Sequence, residues 1–297
     1  MDLGLYPGGL LSNKVKVIRN ETAEEFLSLN NSSLRKDVTR NNLFLGVANQ
    51  ITDGSYDAED PIFLTIYEND TIVGQGMNTD EDHNLLLTKM PEHLSKPIVE
   101  EFLEHRNEVS GVGGDQVISR FVAENLAIAL GKSVRLRDHL GIYELNTLNM
   151  PKTNGAILLM QDDVSEELIL EWTAEFVREC DLNPNIDPAE VAKKSLDRHK
   201  SNPGYRFLKN IDGDIVSMAV KHREFEDRAT VSLVYTPPKF RRNGYGKIVT
   251  ALLTKELLDG KYVQCNLNTD MKNPTSNKIY QEIGYEFIGE SYSYSLE

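Results

Sequence analysis

Between a β-branched run, Thr230 to Thr236, and an amphipathic stretch that begins at Tyr245, the chain reads Pro237-Pro238 and then Arg241-Arg242-Asn243-Gly244-Tyr245-Gly246-Lys247. Few folds accommodate that order. Adjacent prolines can neither extend a strand ladder nor donate to one, so the strand must stop there. Beyond the glycines, Tyr245, Ile248, Val249, Leu252, Leu253 and Leu257 recur at helical period and define one apolar face. The segment from Arg241 to Lys247 therefore lies at a helix N-terminus. There the first N–H groups lack intrahelical partners, and the macrodipole adds roughly half a positive charge. Glycines let the backbone come close to a ligand, and a phosphate placed there meets several donors at once.

The segments that follow are equally ordered. Val263 to Asn268 alternates apolar and polar residues as a half-buried strand does, and Thr269-Asp270 makes a turn. Asn273-Pro274 opens a second helix, with a good N-cap followed by a proline suited to the first helical position. Ile279, Tyr280 and Ile283 share one face of it, and Gly284 marks its end. Tyr285 to Ile288 and Tyr292 to Leu296 are expected as two closing strands around Gly289-Glu290-Ser291.

The order Val-Tyr-Thr-Pro-Pro, then Arg-x-x-Gly-x-Gly, then Thr-Asp-x-x-Asn-Pro-Thr-Ser-Asn-x-x-Tyr-x-x-x-Gly-Tyr falls within residues 205 to 297. It resembles the GNAT superfamily of acetyl-CoA-dependent N-acetyltransferases. The resemblance implies acetyl-CoA as co-substrate, with its pyrophosphate on the backbone of Arg241, Arg242, Asn243, Gly244, Tyr245, Gly246 and Lys247. Its pantetheine would pair with the strand edge at Val234, Tyr235 and Thr236. Asn273 and Ser276 would face the CoA arm, and Tyr280 would stand by the sulfur as proton donor to the leaving thiolate. A bulge near Val234, freeing a backbone N–H for the oxyanion, belongs to the same implication.

The two halves of the chain look like distant copies of one plan. In the second, a strand at Gly155 to Met160 precedes helices near Glu166 to Glu179 and Pro188 to His199. A hairpin of Tyr205 to Lys209 with Asp214 to Lys221 leads to the motif strand. In the first, Val15 to Arg19 precedes helical patterns near Ala23 to Asn30 and Leu34 to Val47. A hairpin of Ile62 to Tyr67 with Thr71 to Met77 turns at Asn69-Asp70, and Leu85 to Leu87 stand where the motif strand should. Met90-Pro91 then enters a helix with no Gly-x-Gly cradle. Gly111-Val112-Gly113-Gly114, before a helix from Asp115 to Leu130, admits a dinucleotide loop, a tight turn or a site of close backbone packing. The expected fold class is α/β (α+β), two GNAT-like domains, each a mixed, mostly antiparallel twisted sheet flanked by helices. Residues 1–150 would be a degenerate copy lacking the pyrophosphate loop, and 151–297 the catalytic domain, with the boundary at Pro151-Lys152-Thr153-Asn154-Gly155.

At 297 residues there is room for two cores, and 40% hydrophobic with 26% charged residues is a globular composition. The net charge is −14, with 13 basic and 23 acidic side chains in residues 1–150 against 19 and 23 in 151–297. An exterior this negative repels nucleic acid and suits a cationic amine, or is simply well solvated. No run of 18 apolar residues exists, so no membrane span is expected. Met1 to Leu11 lacks a basic start and is broken by Pro7-Gly8-Gly9, which argues against a signal peptide and for a cytoplasmic protein. Cys180 and Cys265 are expected as buried free thiols, and the six histidines form no metal-ligand pattern, so no metal is expected. Glu224, Glu226 and Asp227 are candidate general bases, and Trp172 and Phe176 either line the acceptor site or fill the core. The expected reaction is acetyl transfer from acetyl-CoA to the primary amine of a small molecule. A non-catalytic acetyl-CoA-binding regulatory module and an acetyltransferase acting on a protein or peptide amine are the alternatives, and monomer and dimer are both open.

Overall fold

The computed structural model describes residues 14–181 and 186–297; the segment Met1 to Leu11, read above for targeting, lies outside the described residues. The chain forms two compact units. One takes the chain up to His139 together with Ser291–Glu297, and the other is Leu140–Glu290.

Unit 1 runs β1 (Val15–Asn20), α1 (Ala23–Leu34), α2 (Asn42–Thr52), β2 (Ile62–Glu68), β3 (Thr71–Asn78), β4 (Leu85–Leu87), α3 (Ser95–His105), β5 (Gly111–Gly114), α4 (Gln116–Leu130) and the first part of β6 (Val134–Leu145). Strands β1 to β4 pair successively antiparallel, and β5 pairs β4 in parallel. Tyr292–Ser295 closes this sheet antiparallel to β5. Local chemistry accounts for most of these elements. Thr22 caps α1 by accepting from the Glu25 N–H, and the β2–β3 hairpin turns on Asn69 and Asp70, both with positive φ as a tight hairpin requires. Leu64, Ile66, Ile98, Phe102, Ile118, Val122 and Leu126 are fully buried between helices and sheet.

Unit 2 repeats the order with the end of β6, β7 (Ile157–Met160), α5 (Glu166–Glu179), α6 (Pro188–Arg198), β8 (Tyr205–Lys209), β9 (Ile215–Phe225), β10 (Arg228–Tyr235), α7 (Tyr245–Asp259), β11 (Gln264–Asp270), α8 (Pro274–Glu282) and the start of β12 (Glu286–Leu296). Strands β7 to β10 pair antiparallel, β11 pairs β10 in parallel, and Leu140–Leu145 of β6 closes the sheet antiparallel to β11. Each unit is thus a mixed, mostly antiparallel sheet flanked by helices, as expected. Alternation along the strands sorts the two faces. Leu208, Ala219 and Val231 pack with α7, whereas Phe207, Met218, Val220 and Tyr235 pack with Trp172 of α5 and Leu196 of α6.

Several expectations need correcting. The division falls between His139 and Leu140 rather than at Pro151–Gly155, and each unit is closed by a strand from the other half of the sequence. The helix expected over Leu34–Val47 is interrupted by a 3-10 turn at Arg35–Asp37 and restarts at Asn42, because the Asn41 side chain donates to the Leu34 carbonyl and breaks the ladder there. Tyr285–Ile288 and Tyr292–Leu296 are not two strands but the one strand β12. No helix among the described residues is long and apolar enough to cross a membrane.

The glycine run Gly111–Gly114 is not a loop. It is β5, hemmed in by backbone on both sides: a Cβ on Gly111 would stand 2.1 Å from the Tyr294 carbonyl oxygen, and one on Gly114 2.0 Å from that of Leu87. Gly114 also has φ +127, a value that side chains rarely adopt. Gly114→Ala is therefore expected to destabilise the protein by about 1–3 kcal/mol, read as a lower urea midpoint with an unchanged slope; an unaltered midpoint would contradict this account of β5.

Candidate functional site

Strand β10 does not stay paired. Its parallel ladder with β11 covers only Arg228, Ala229 and Thr230, ending at the Thr230–Asn266 pair. On the other side its register with β9 slips between Ser232 and Tyr235, and Leu233 takes φ +47. This is a bulge at the position where one was expected, and it re-aims the backbone at Leu233 and Val234. The last residues of the strand are pinned to β9 by Ser217, whose Oγ donates to the Tyr235 carbonyl at 2.8 Å and lies 2.9 Å from Thr236 Oγ1.

Pro237 and Pro238 then turn the chain into a short 3-10 segment, Pro238–Phe240, and the glycine loop begins. Arg242 and Gly244 both have left-handed backbone, φ +67 and +76, and Gly244 is the N-cap of α7 with no side-chain hydrogen bond at the cap. The first amides of α7, at Tyr245, Gly246 and Lys247, thus receive neither an intrahelical acceptor nor a capping oxygen. A Cβ built on Gly244 meets nothing within 4 Å, so the loop leaves open space above the helix end. Asn243 Nδ2 donates to the Phe240 and Arg241 carbonyls at 3.1 and 3.2 Å and holds the turn.

The cations around this loop differ in their engagements. Arg241 forks onto Glu179 of α5, with Nη2 2.7 Å from each carboxylate oxygen, and its Nε donates to the Thr236 carbonyl at 2.8 Å. It ties the end of β10 to α5. Lys247 Nζ donates to Glu282 of α8 at 2.8 Å, and Arg242 is exposed. The uncapped amides at the start of α7, with Arg242 beside them, are therefore what this loop offers an anion.

Helix α8 faces the same strand opening in the order of the chain. Asn273 caps it by accepting from the Ser276 N–H at 3.1 Å, and Asn277 Nδ2 donates to the Asp270 and Asn273 carbonyls. Tyr280 is buried at 6% exposure, packs edge-on against Tyr285, and is hydrogen-bonded through its hydroxyl to Ser276. Burial, with a smaller push from Cys180, raises its ionisation above the usual tyrosine range, against the Ser276 bond. Cys180 is exposed, not buried as expected, although desolvation of its thiol together with Glu179 and Asp270 pushes it up to about 11. Cys265 is buried.

Helix α5 supplies residues that pattern alone did not single out. Glu175 accepts from the Tyr235 hydroxyl at 2.5 Å, two residues beyond the bulge. Burial and this carboxylate both push the Tyr235 hydroxyl above its usual range. Glu175 and Glu179 stand four apart on a helix, a spacing that shares one face; the signal was present but reads equally as solvated charge. Trp172 fills the core, edge-on to Tyr235 at 6.0 Å, and Phe176 packs against the same cluster.

The three carboxylates expected as bases lie at the β9–β10 turn. Glu224 is bound by Lys261, Asn202 and the Tyr262 hydroxyl, and Lys221 lies 3.7 Å away, on the α7 side of the sheet. Burial alone would raise its carboxyl, but Lys261, Lys221 and Asn202 together hold it below the usual range. Asp227 pairs with Arg228 at 3.0 Å, and Glu226 sits at φ +54 in the turn itself. Among the described residues no group of three or more His, Cys, Asp or Glu is arranged to hold a metal.

Comparison with known proteins agrees with this geometry. The model of the FR47-like protein family matches residues 211–294, which contain β10, the glycine loop and α8. A GNAT-family acetyltransferase from Colwellia psychrerythraea is similar at 13% identity and a TM-score of 0.57, covering 95% of this chain and 100% of its own. A Drosophila protein reaches a TM-score of 0.64 at 15% identity, covering 95% and 98%. A tandem GNAT protein from the clavulanic acid biosynthesis pathway matches 96% of this chain and 98% of its own, with a TM-score of 0.52 at 9% identity. No curated protein sequence matches at a significant level. The chain shares the fold of these GNAT structures, and its residues 211–294 are similar to the FR47-like family.

Proposed function

We propose that unit 2 transfers the acetyl group of acetyl-CoA to a primary amine of a small molecule. The observation that carries this is the coincidence, in one unit, of a strand edge opened beside a bulge with an uncapped helix N-terminus directly downstream of it. The diphosphate of the co-substrate accepts from the amides of Asn243 to Lys247, and the pantetheine continues the ladder that β10 abandons, at Val234 to Thr236. The bulge turns a backbone N–H out of the sheet toward the thioester carbonyl. That donor stabilises the oxyanion formed when the amine attacks.

Protons move at two points. The attacking nitrogen must lose one, and Glu175, brought within two residues of the bulge by its bond from the Tyr235 hydroxyl, is the acceptor; Glu224 is on the opposite face and already paired. The leaving thiolate receives one from Tyr280. Because burial raises the Tyr280 hydroxyl, it stays protonated throughout the working pH range and the transfer is uphill. It therefore assists departure of the thiol without controlling the pH profile.

Gly244→Glu places a side chain and a negative charge where the diphosphate sits and is expected to abolish acetyl-CoA binding by calorimetry in a folded protein. Retained affinity would remove the loop from the mechanism. Tyr280→Phe is expected to lower kcat about 10²-fold with CoA affinity unchanged, measured by release of free thiol. Glu175→Gln should lower kcat by about the same factor with CoA affinity unchanged; a variant with wild-type turnover returns the base to another group.

A further inference from the structure

On the α5 and α6 side of β10 and β9, the guanidinium groups of Arg223 and Arg198 stand with the imidazoles of His222 and His199. Strand β9 slips by one residue against β10 between the Thr230–Arg223 and Val231–Lys221 pairs, so His222 and Arg223 fall together opposite Thr230. Such a bulge points both side chains to one face. Lys221 and Glu224 on either side turn to the other face, where Lys221 borders Leu253 and Leu257 of α7 and Glu224 meets Tyr262.

The His222 ring faces His199 of α6, with centroids 6.2 Å apart. Both nitrogens of His199 lie against carbonyl oxygens, Ser195 at 2.8 Å and Lys221 at 3.1 Å. Arg198 stands next to it at the end of α6, exposed. Burial, then Arg223, His199 and Arg198, hold the His222 imidazole down at about 3, and the charges acting on it are all cationic. Burial and Arg198 likewise lower Arg223.

Within this cluster Arg223 Nε and His222 Nδ1 are sealed from solvent and have no hydrogen-bond partner among the described residues. A desolvated guanidinium donor left unpaired beside other cations is costly and calls for an anion. Its place in the fold says which anion. Arg223 pairs across the ladder with Thr230, the residue at which β10 leaves β11, and at about 3.3 Å per residue Thr230 is about 10 Å from the bulge at Leu233. Tyr235 and Glu175 lie beyond the bulge, on the same α5 and α6 side.

We propose that Arg223 and His222, with Arg198 at the rim, bind an anionic group on the amine acceptor, so that the acceptors are amino acids or similar amines carrying a carboxylate or phosphate a few bonds from the nitrogen. This rests on the acetyl-transfer reading above, and it adds an anionic group to the cationic amine that the net charge suits. The bidentate fork of Arg223 would fix the anion while the amine is presented to the thioester between Arg223 and Glu175.

The test is calorimetric titration of the full chain, in the presence of CoA, with α- and β-amino acids and aminoalkylphosphonates, each beside its neutral amide or ester. At least one acid should bind 10-fold or more tightly than its neutral counterpart, R223M should erase that preference, and R223K should keep part of it. A phosphonate preferred over its carboxylate analogue assigns the anion as phosphate. If no acid binds more tightly than its neutral counterpart, or if folded R223M keeps the preference, the anion site is wrong; should R223M fail to fold, the acid-to-amide ratio in wild type and R223K decides. Thiol release is followed in parallel, so that acid selectivity without release of CoA would remove the acetyl-transfer reading while leaving the anion site standing.

Discussion

The parting of β10 from β11 after Thr230 is the constraint on which the rest of the second unit depends. Backbone N–H and C=O groups are obligatory hydrogen-bonding groups, and a central strand that gives up its ladder leaves a row of them without strand partners. A sheet tolerates this only if the departing strand is held by something else. Here Ser217 bonds the Tyr235 carbonyl, Arg241 bonds the Thr236 carbonyl and forks onto Glu179, and the Tyr235 hydroxyl reaches Glu175. Three side-chain anchors thus replace the missing strand pairing at the end of β10. They keep Val234 to Thr236 beside a gap in the β10–β11 ladder.

Electrostatics follow from the same arrangement. The chain is acidic as a whole, with net charge −14, yet unit 2 gathers its unpaired cations at a few places. Arg241 and Lys247 are each matched by a glutamate, so the loop is not a strongly positive patch, and an anion bound there would rely on main-chain donors and the helix end. The excess of positive charge sits elsewhere, at Arg198 and Arg223, beside the neutral His222 ring. Two different anions, recognised in two different ways, are what this distribution suits.

Legibility in the sequence tracks how local the cause is. The β10 stop at Pro237-Pro238, the glycine loop, α7 and the Asn273-Pro274 start of α8 are all dictated by residues within a few positions, and they fall where the pattern places them. Strand β6 went unread because Arg135, Arg137, Asp138 and His139 interrupt its apolar alternation, and its pairing with β11 spans more than a hundred residues of chain. The closing of each unit by a strand from the other half of the sequence has no local signature at all. Gly111–Gly114 was readable as a loop because only the approach of the Leu87 and Tyr294 backbones makes glycine a strand residue there. Within the site, Tyr280 and the loop come from a contiguous motif, whereas Glu175, His222 and Arg223 acquire meaning only when α5 and the β9 bulge are brought beside β10.

A crystal structure of the protein with CoA bound tests the central claim most directly. The account predicts the diphosphate within hydrogen-bonding distance of the amides between Asn243 and Lys247, and a pantetheine amide paired with the backbone at Val234 to Thr236. A diphosphate lodged at any other surface, or a β10 that closes onto β11 beyond Thr230 when the ligand is present, would contradict it.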